Sequence, residues 1–250
     1  MKLLSFDLEV ARWPEDDNAP KTDLGITCAG LSYHENNGPP PSNQLYYGDA
    51  QISKAAAVDL VRDLETAALD GYTIITWNGC GFDFRILAEE SGLVERCARL
   101  ALDSVDMMLF VTFRKGYCLG LDTALAGMHV PQKLHKVTLN DGSILEDMSG
   151  KKAPELWAAG EYSAVLDYLK VDIESPIALA RKIMQHKAIF WHSQKGRPMS
   201  CPVTRFSPVR DLFNLPMPST SWMTDPPTRW QFIEWMPPDV VKTLPITAPR

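Results

Sequence analysis

The stretch Leu3-Leu4-Ser5-Phe6-Asp7-Leu8-Glu9-Val10 decides how this chain is read. It is an apolar run interrupted only by Ser5, Asp7 and Glu9, the pattern of a buried strand that carries acids towards its end. Asp7 and Glu9 stand at i and i+2, so both side chains leave the same face of a sheet. Burying two neighbouring carboxylates is costly unless a cation or hydrogen bonds compensate them. The spacing alone decides nothing, because D-x-E recurs at Asp63/Glu65 and at Asp172/Glu174.

Outward from this strand, residues 11–23 are polar, hold two prolines and read as a loop. Residues 24–33 read as a second strand, Asn36 to Pro41 as a turn, and Gln44 to Tyr47 as a short strand. Ile52, Ala56, Leu60 and Leu64 repeat at i, i+4 and predict an amphipathic helix over 51–69, stopped by Asp70-Gly71. Tyr72 to Thr76 is a buried strand and Phe82 to Glu90 a helix closed by Gly92. Leu100 to Met107 reads as a strand leading into a helix, and Leu121 to Gly127 as a short helix. Asn140-Asp141-Gly142 marks a hairpin. Ser163 to His186 is a long helix interrupted by Pro176, which removes a hydrogen bond to the Asp172 carbonyl and predicts a kink. Strands alternating with helices through residue 185 predict a three-layer α/β domain.

Two further groups of residues hold chemistry. Asn78-Gly79-Cys80-Gly81-Phe82-Asp83 follows the buried strand directly, with two glycines that allow a sharp turn close to a ligand. Asp83 falls in the first turn of the next helix, where it either caps free N–H groups or serves a site. Tyr168 and Asp172 share one helix face at i, i+4, which equally describes a solvated acid beside a half-buried tyrosine.

Taken in order, an acid pair ending the first strand, an N-x3-F-D opening a later helix and a Y-x3-D on the last long helix resemble exonuclease motifs I, II and III. These belong to the DEDD superfamily with the ribonuclease H-like fold. A tyrosine four residues before the last aspartate marks the DEDDy branch, as in the proofreading domain of family B DNA polymerases; the histidine position of the other branch holds Asp167. Ala101 to Met107 with a non-catalytic Asp106, Tyr117 to Gly127 and Pro154 to Gly160 are similar to the segments between those motifs. The resemblance spans roughly residues 1–185.

It implies a mixed central sheet and a 3′–5′ exonuclease acting on single-stranded DNA or RNA 3′ ends, leaning towards DNA. It also implies that Asp7, Glu9, Asp83 and Asp172 hold two divalent ions, Mg2+ or Mn2+. Hard cations of that kind prefer oxygen ligands, and a two-metal site suits in-line phosphoryl displacement. Tyr168 is implied to orient the attacking water, while Val10, through its backbone, Asn78 and Phe82 are implied to lie near the terminal nucleotide. A second reading keeps the fold without catalysis, as a nucleic-acid or protein-binding scaffold; a third is an oligonucleotide-specific exoribonuclease.

The composition frames these readings. The 250 residues are 45% hydrophobic and 22% charged, which excludes a disordered or collagen-like chain. No apolar run reaches the roughly 18 residues of a membrane span, and Asp7 comes too early for a secretory leader. Five cysteines, odd in number and without C-x-x-C spacing, read as reduced thiols in a cytoplasmic protein. The net charge is −6, an unusual balance for a nucleic-acid binder.

That charge is uneven. Residues 1–185 hold 17 basic against 27 acidic groups, net −10, whereas 186–250 hold 8 against 4, net +4. The chain therefore divides into a domain over 1–186 and a basic tail over 187–250 with 11 of the 19 prolines and four of the seven tryptophans. The tail is expected to pack on the domain as a cap, with base stacking or a protein partner as the other roles for its aromatics. It holds a basic hairpin around Lys195-Gly196-Arg197 and one short helix over Thr228 to Met236. Lys133, His135 and Lys136, with Lys151 and Lys152, read as solvated loop cations, with contact to a substrate backbone as their other role.

Overall fold

The computed structural model describes residues 1–14, 22–36 and 41–246. Much of the loop expected over 11–23 and of the turn expected at 36–41 lies outside these residues. Strand β1 (Lys2–Val10) is followed by β2 (Ile26–Glu35) and β3 (Ser42–Tyr47). Helix α1 (Lys54–Leu69) starts at Ser53, whose hydroxyl accepts the Ala56 amide at 3.2 Å. Its stripe Ala57, Leu60, Val61, Leu64 and Ala67 is buried, as the periodicity demands. Strand β4 (Tyr72–Thr76), α2 (Asp83–Ser91), α3 (Val94–Asp103), β5 (Val105–Asp106) and α4 (Met107–Lys115) follow.

After α5 (Leu121–Gly127) come the hairpin β6 (Val137–Thr138) and β7 (Ile144–Leu145), then α6 (Ala153–Ala158) and α7 (Tyr162–His186). The last segment forms the hairpin β8 (Ala188–His192) and β9 (Pro198–Pro202), then α8 (Val209–Leu212) and α9 (Pro238–Val241).

The central sheet has the order β3-β2-β1-β4-β5, with β2 antiparallel to β1 and β4 parallel to it. Helices cover both faces, so the fold is α/β with a mixed central sheet, the ribonuclease H-like arrangement. On one face Phe6 meets Phe84 of α2 with ring centroids 5.1 Å apart. On the other, α7 lies across β1 and β2.

Gly30 explains how close α7 comes. In the register Asp7 pairs with Gly30, and a Cβ there would stand 2.9 Å from Ile173 Cδ1. The missing side chain lets α7 settle on the sheet, and Asp172, next to Ile173, then stands over the acidic end of β1. The shift of register between Glu9 and Val10 marks a bulge where the acids leave the strand.

Two expectations change, and the long helix over 163–186 holds. Leu100 to Met107 is mostly helix, because Cys97, Ala98, Leu100, Ala101 and Leu102 form one buried helical face and only Val105–Asp106 pair with β4. The helix expected over Thr228 to Met236 shrinks to a single 3-10 turn, Trp230–Phe232, between two proline pairs. Helix α7 continues through Pro176 to His186.

The tail shares the core of the body. Ile189, Trp191, Val209, Leu212, Phe213, Phe232 and Ile233 belong to the same buried cluster as β1, β4 and α1 to α4. Gly127 permits α5 to meet the tail hairpin, since a Cβ there would stand 2.1 Å from the Phe190 carbonyl oxygen.

Candidate metal centre

Strand β1 delivers two acids to the α7 face. Asp7 is partly exposed and Glu9 buried. Helix α7 adds Asp172, 2% exposed, and Asp7, Glu9 and Asp172 each offer a carboxylate oxygen within 4.8 Å of the others. Asp83, at the start of α2, is also buried and shares a hydrogen bond with Asp7. Helix α2 starts after Phe82, and the Asp83 carboxyl meets both Asp7 and backbone amides, that of Asp83 itself among them, so it serves the helix start and the cluster together.

The loop between β4 and α2 is built to hold this position. Asn78 adopts the left-handed region at φ 69°, a conformation asparagine tolerates. Asp106 pins the loop: one oxygen accepts the Asn78 amide at 3.0 Å and the other the Cys80 amide at 3.1 Å. The same residue caps α4 by accepting the Leu109 amide at 3.0 Å. From outside, the tail closes on the loop, where Trp235 Nε1 donates to the Cys80 carbonyl at 2.9 Å. A Cβ on Gly81 would lie 2.8 Å from the Phe232 ring, so the tail and the loop are in direct contact.

Electrostatically the cluster lacks positive charge. Burial raises the pKa of Asp7, against the pull of Lys133. Burial and the charges of Asp7 and Asp172 hold Glu9 well above the usual carboxylate range. Burial and the charge of Asp7 hold Asp83 well above the usual carboxylate range. Burial pushes Asp172 up to about 7, with Lys133 opposing and Asp7 adding to the shift. Asp83 Oδ1 and Asp172 Oδ1 are buried without a hydrogen-bond partner among the described residues. Hard oxygen donors that are buried, crowded and incompletely satisfied fit a divalent cation.

Lys133 is the residue that sequence reading misplaced. Expected as a solvated loop cation, it reaches into the site, with Nζ 2.6 Å from Asp172 Oδ2 and its side chain 23% exposed. Burial works against its charge, but Asp172, Tyr168 and Asp7 outweigh it and hold it as an ammonium. Its Nζ also stands 4.9 Å from the centroid of the Tyr168 ring. Nothing local in the sequence separates Lys133 from Lys136, which pairs with Glu146 at the surface. The anchor is tertiary, with the Lys133 amide donating to Asp122 at 3.0 Å.

Tyr168 is buried, and burial and Asp172 raise its pKa, so the hydroxyl keeps its proton. Asp7, Asn78, Phe82, Asp83, Lys133 and Asp172 line one pocket of 130 Å³, with Pro176 in its wall. Of the residues expected near a nucleotide, Asn78 and Phe82 face this pocket, whereas the Val10 side chain lies in the core at 1% exposure. Trp13, not singled out in the sequence, packs against Phe82 at 6.0 Å between ring centroids and lies beside Glu9 across Gly150.

Fold and site together define an α/β protein with a buried carboxylate cluster able to hold a metal ion. No family profile and no curated protein sequence matches the chain. Sixteen solved chains match it in structure. Among them is a product-bound exonuclease I, at TM-score 0.34 and 12% identity over 74% of this chain and 43% of that one. The chain thus spans less than half the length of that protein. Among the described residues no helix is long and apolar enough to cross a membrane.

Proposed function

We propose that this chain is a 3′–5′ exonuclease that hydrolyses phosphodiester bonds at single-stranded DNA or RNA 3′ ends with two divalent ions, Mg2+ or Mn2+. The observation that carries the reading is the convergence of Asp7, Glu9 and Asp172 within 4.8 Å, with Asp83 bonded to Asp7. Asp7, Glu9, Asp83 and Asp172 would hold the ions. Divalent ions there supply a lowered pKa for water and charge stabilisation for the leaving oxygen of an in-line displacement.

The protein's own groups do the rest. Tyr168 keeps its proton and orients the attacking water by a hydrogen bond instead of deprotonating it. Asn78 and Phe82 border the pocket at the place of the terminal nucleotide. Water adds to phosphorus, the bond to the penultimate O3′ breaks, and the products are a nucleoside 5′-monophosphate and a strand shortened by one residue with a free 3′ hydroxyl. Without bound ions Lys133 is the cation that pairs with the cluster, through Asp172.

The test uses end-labelled single-stranded DNA and RNA with magnesium or manganese. Stepwise shortening from the 3′ end with release of monophosphates is expected, and neither EDTA-treated protein nor Asp83→Ala should show it. Cleavage that persists without metal, or in Asp83→Ala, overturns the two-ion reading.

A further inference from the structure

A cleft of 330 Å³ lies where the tail meets the end of α4, between Phe113, Arg114 and Lys115 on one side and Leu215, Met217 and Pro218 on the other. No carboxylate lines it. Arg114 lies over the Phe110 ring at 4.5 Å and Lys115 over the Trp191 ring at 5.9 Å, and among the described residues neither has an acidic partner. Their charge acts on the cleft, because both favour the anionic form of the Cys201 thiol in its wall, against the larger effect of burial.

Near the cleft, on Tyr117, stands an exposed aromatic ring. Trp222 is 66% and Met217 70% exposed, in a protein whose other tail aromatics are largely engaged with the body. Trp222 meets Tyr117 edge to face at 6.0 Å, and Tyr117 in turn meets Trp191 at 6.5 Å, so the exposed ring stands on a rigid aromatic base. Three other tail cations are engaged by protein groups. Arg229 donates to the Phe213 and Leu215 carbonyls at 2.9 and 2.7 Å, Arg210 pairs with Asp103, and Lys242 pairs with Asp239. The cleft thus sets two basic groups, without acidic partners among the described residues, near an exposed ring carried by Tyr117.

Its link to the metal centre is short. Leu121 lines the carboxylate pocket, and Trp77, also in that pocket, donates through Nε1 to the Leu119 carbonyl at 3.1 Å. Only six residues run from Lys115 to Leu121, a contour of at most about 21 Å, so no more than roughly six nucleotides at a stacked rise of about 3.4 Å separate the two places.

We infer that the Arg114–Lys115 cleft, with Trp222 standing near it on Tyr117, is a second binding site for single-stranded nucleic acid, taking the strand at most about six nucleotides upstream of the 3′ end held at the carboxylates. The inference rests on the exonuclease reading. Trp222 offers a face on which a base stacks without regard to sequence, and Arg114 and Lys115 offer charge to the backbone. Substrates too short to reach the cleft are held by the carboxylate pocket alone.

The experiment measures binding, not turnover, on the full chain carrying Asp83→Ala with magnesium, using fluorescent oligothymidylates of about three and about twelve nucleotides. The long probe is expected to bind about tenfold tighter than the short one. Adding Trp222→Ala, or Arg114→Ala with Lys115→Ala, should erase that advantage and leave the short probe unchanged. The double charge removal should also reduce the dependence of long-probe binding on salt.

Equal affinity for both probes, or a length advantage that survives both variants, overturns the inference and leaves the exonuclease reading intact. Binding of neither probe removes the reading and the inference together. Self-association of the unmodified chain that Trp222→Ala abolishes, without any length effect, assigns the cleft to a second copy of the chain and overturns the inference.

Discussion

Lys133 Nζ stands 2.6 Å from Asp172 Oδ2, and this ion pair closes a cluster of four carboxylates. A buried charge stripped of its partner is strongly destabilising. Lys133→Met is therefore expected to lower the stability of metal-free protein by roughly 2 kcal/mol near neutral pH, and by less in acid, where the carboxylates take up protons instead. The same variant should gain more stability than wild type on adding magnesium or manganese, because the ions meet an uncompensated cluster. Urea unfolding with and without metal measures both effects.

Asp83→Asn keeps the shape of the buried side chain and removes a carboxyl whose ionisation burial and Asp7 oppose. Metal-free protein should be as stable as wild type or gain about 1 kcal/mol, a rise of roughly 2–4 °C in Tm for a chain of this size. Turnover should fall by at least about a hundredfold, since one metal-holding oxygen has become an amide. Calorimetry without metal and an exonuclease assay with it give the two readings.

The pH dependence follows from the sign of the shifts. Asp172 is pushed up to about 7, and Asp7, Glu9 and Asp83 are also raised, all chiefly by burial. A carboxyl whose folded pKa lies above its unfolded value of about 3.9 gives stability that is complete below that value and is lost as pH rises through the folded pKa. Metal-free protein should therefore lose stability between about pH 4 and pH 7, and Asp172→Asn should flatten part of that decline. Bound divalent ions favour the ionised carboxylates, so the increase in Tm on adding metal should be larger at about pH 8 than at about pH 5.5.

Asp106 accepts three backbone amides, those of Asn78, Cys80 and Leu109. Asp106→Ala leaves them without an acceptor in a buried place and should cost about 3 kcal/mol. Trp235→Phe removes one donor to the Cys80 carbonyl and should cost about 1 kcal/mol. Both variants loosen the loop that carries Asn78 and Asp83, so turnover should fall in each, more steeply in Asp106→Ala. Denaturant melts beside kcat measurements check the order.

Much of the sheet was legible because its signals are local. The β1 pattern, the apolar stripe of α1 and the buried run of β4 each follow from the order of apolar and polar residues. Helix α3 was missed because its buried face is short and merges into the apolar stretch that ends in β5. Asp7, Glu9, Asp83, Tyr168 and Asp172 were named from spacing and from their order along the chain, and the structure brings them to one place. Lys133 and Trp13 carried no such spacing. They reach the pocket only because a loop and a strand end pass over it.

By itself the sequence determined that two acids leave one face of a buried strand, that a glycine-rich turn precedes Asp83 and that Tyr168 and Asp172 share a helix face. Each of these is fixed by the period of a strand or a helix. The tertiary structure decided what those faces meet. Gly30 admits α7 close enough to set Asp172 over Asp7, Lys133 supplies the charge the cluster lacks, and the tail locks the Asn78–Phe82 loop through Phe232 and Trp235. These contacts join residues far apart in the chain, and no local periodicity encodes how closely two packed elements approach.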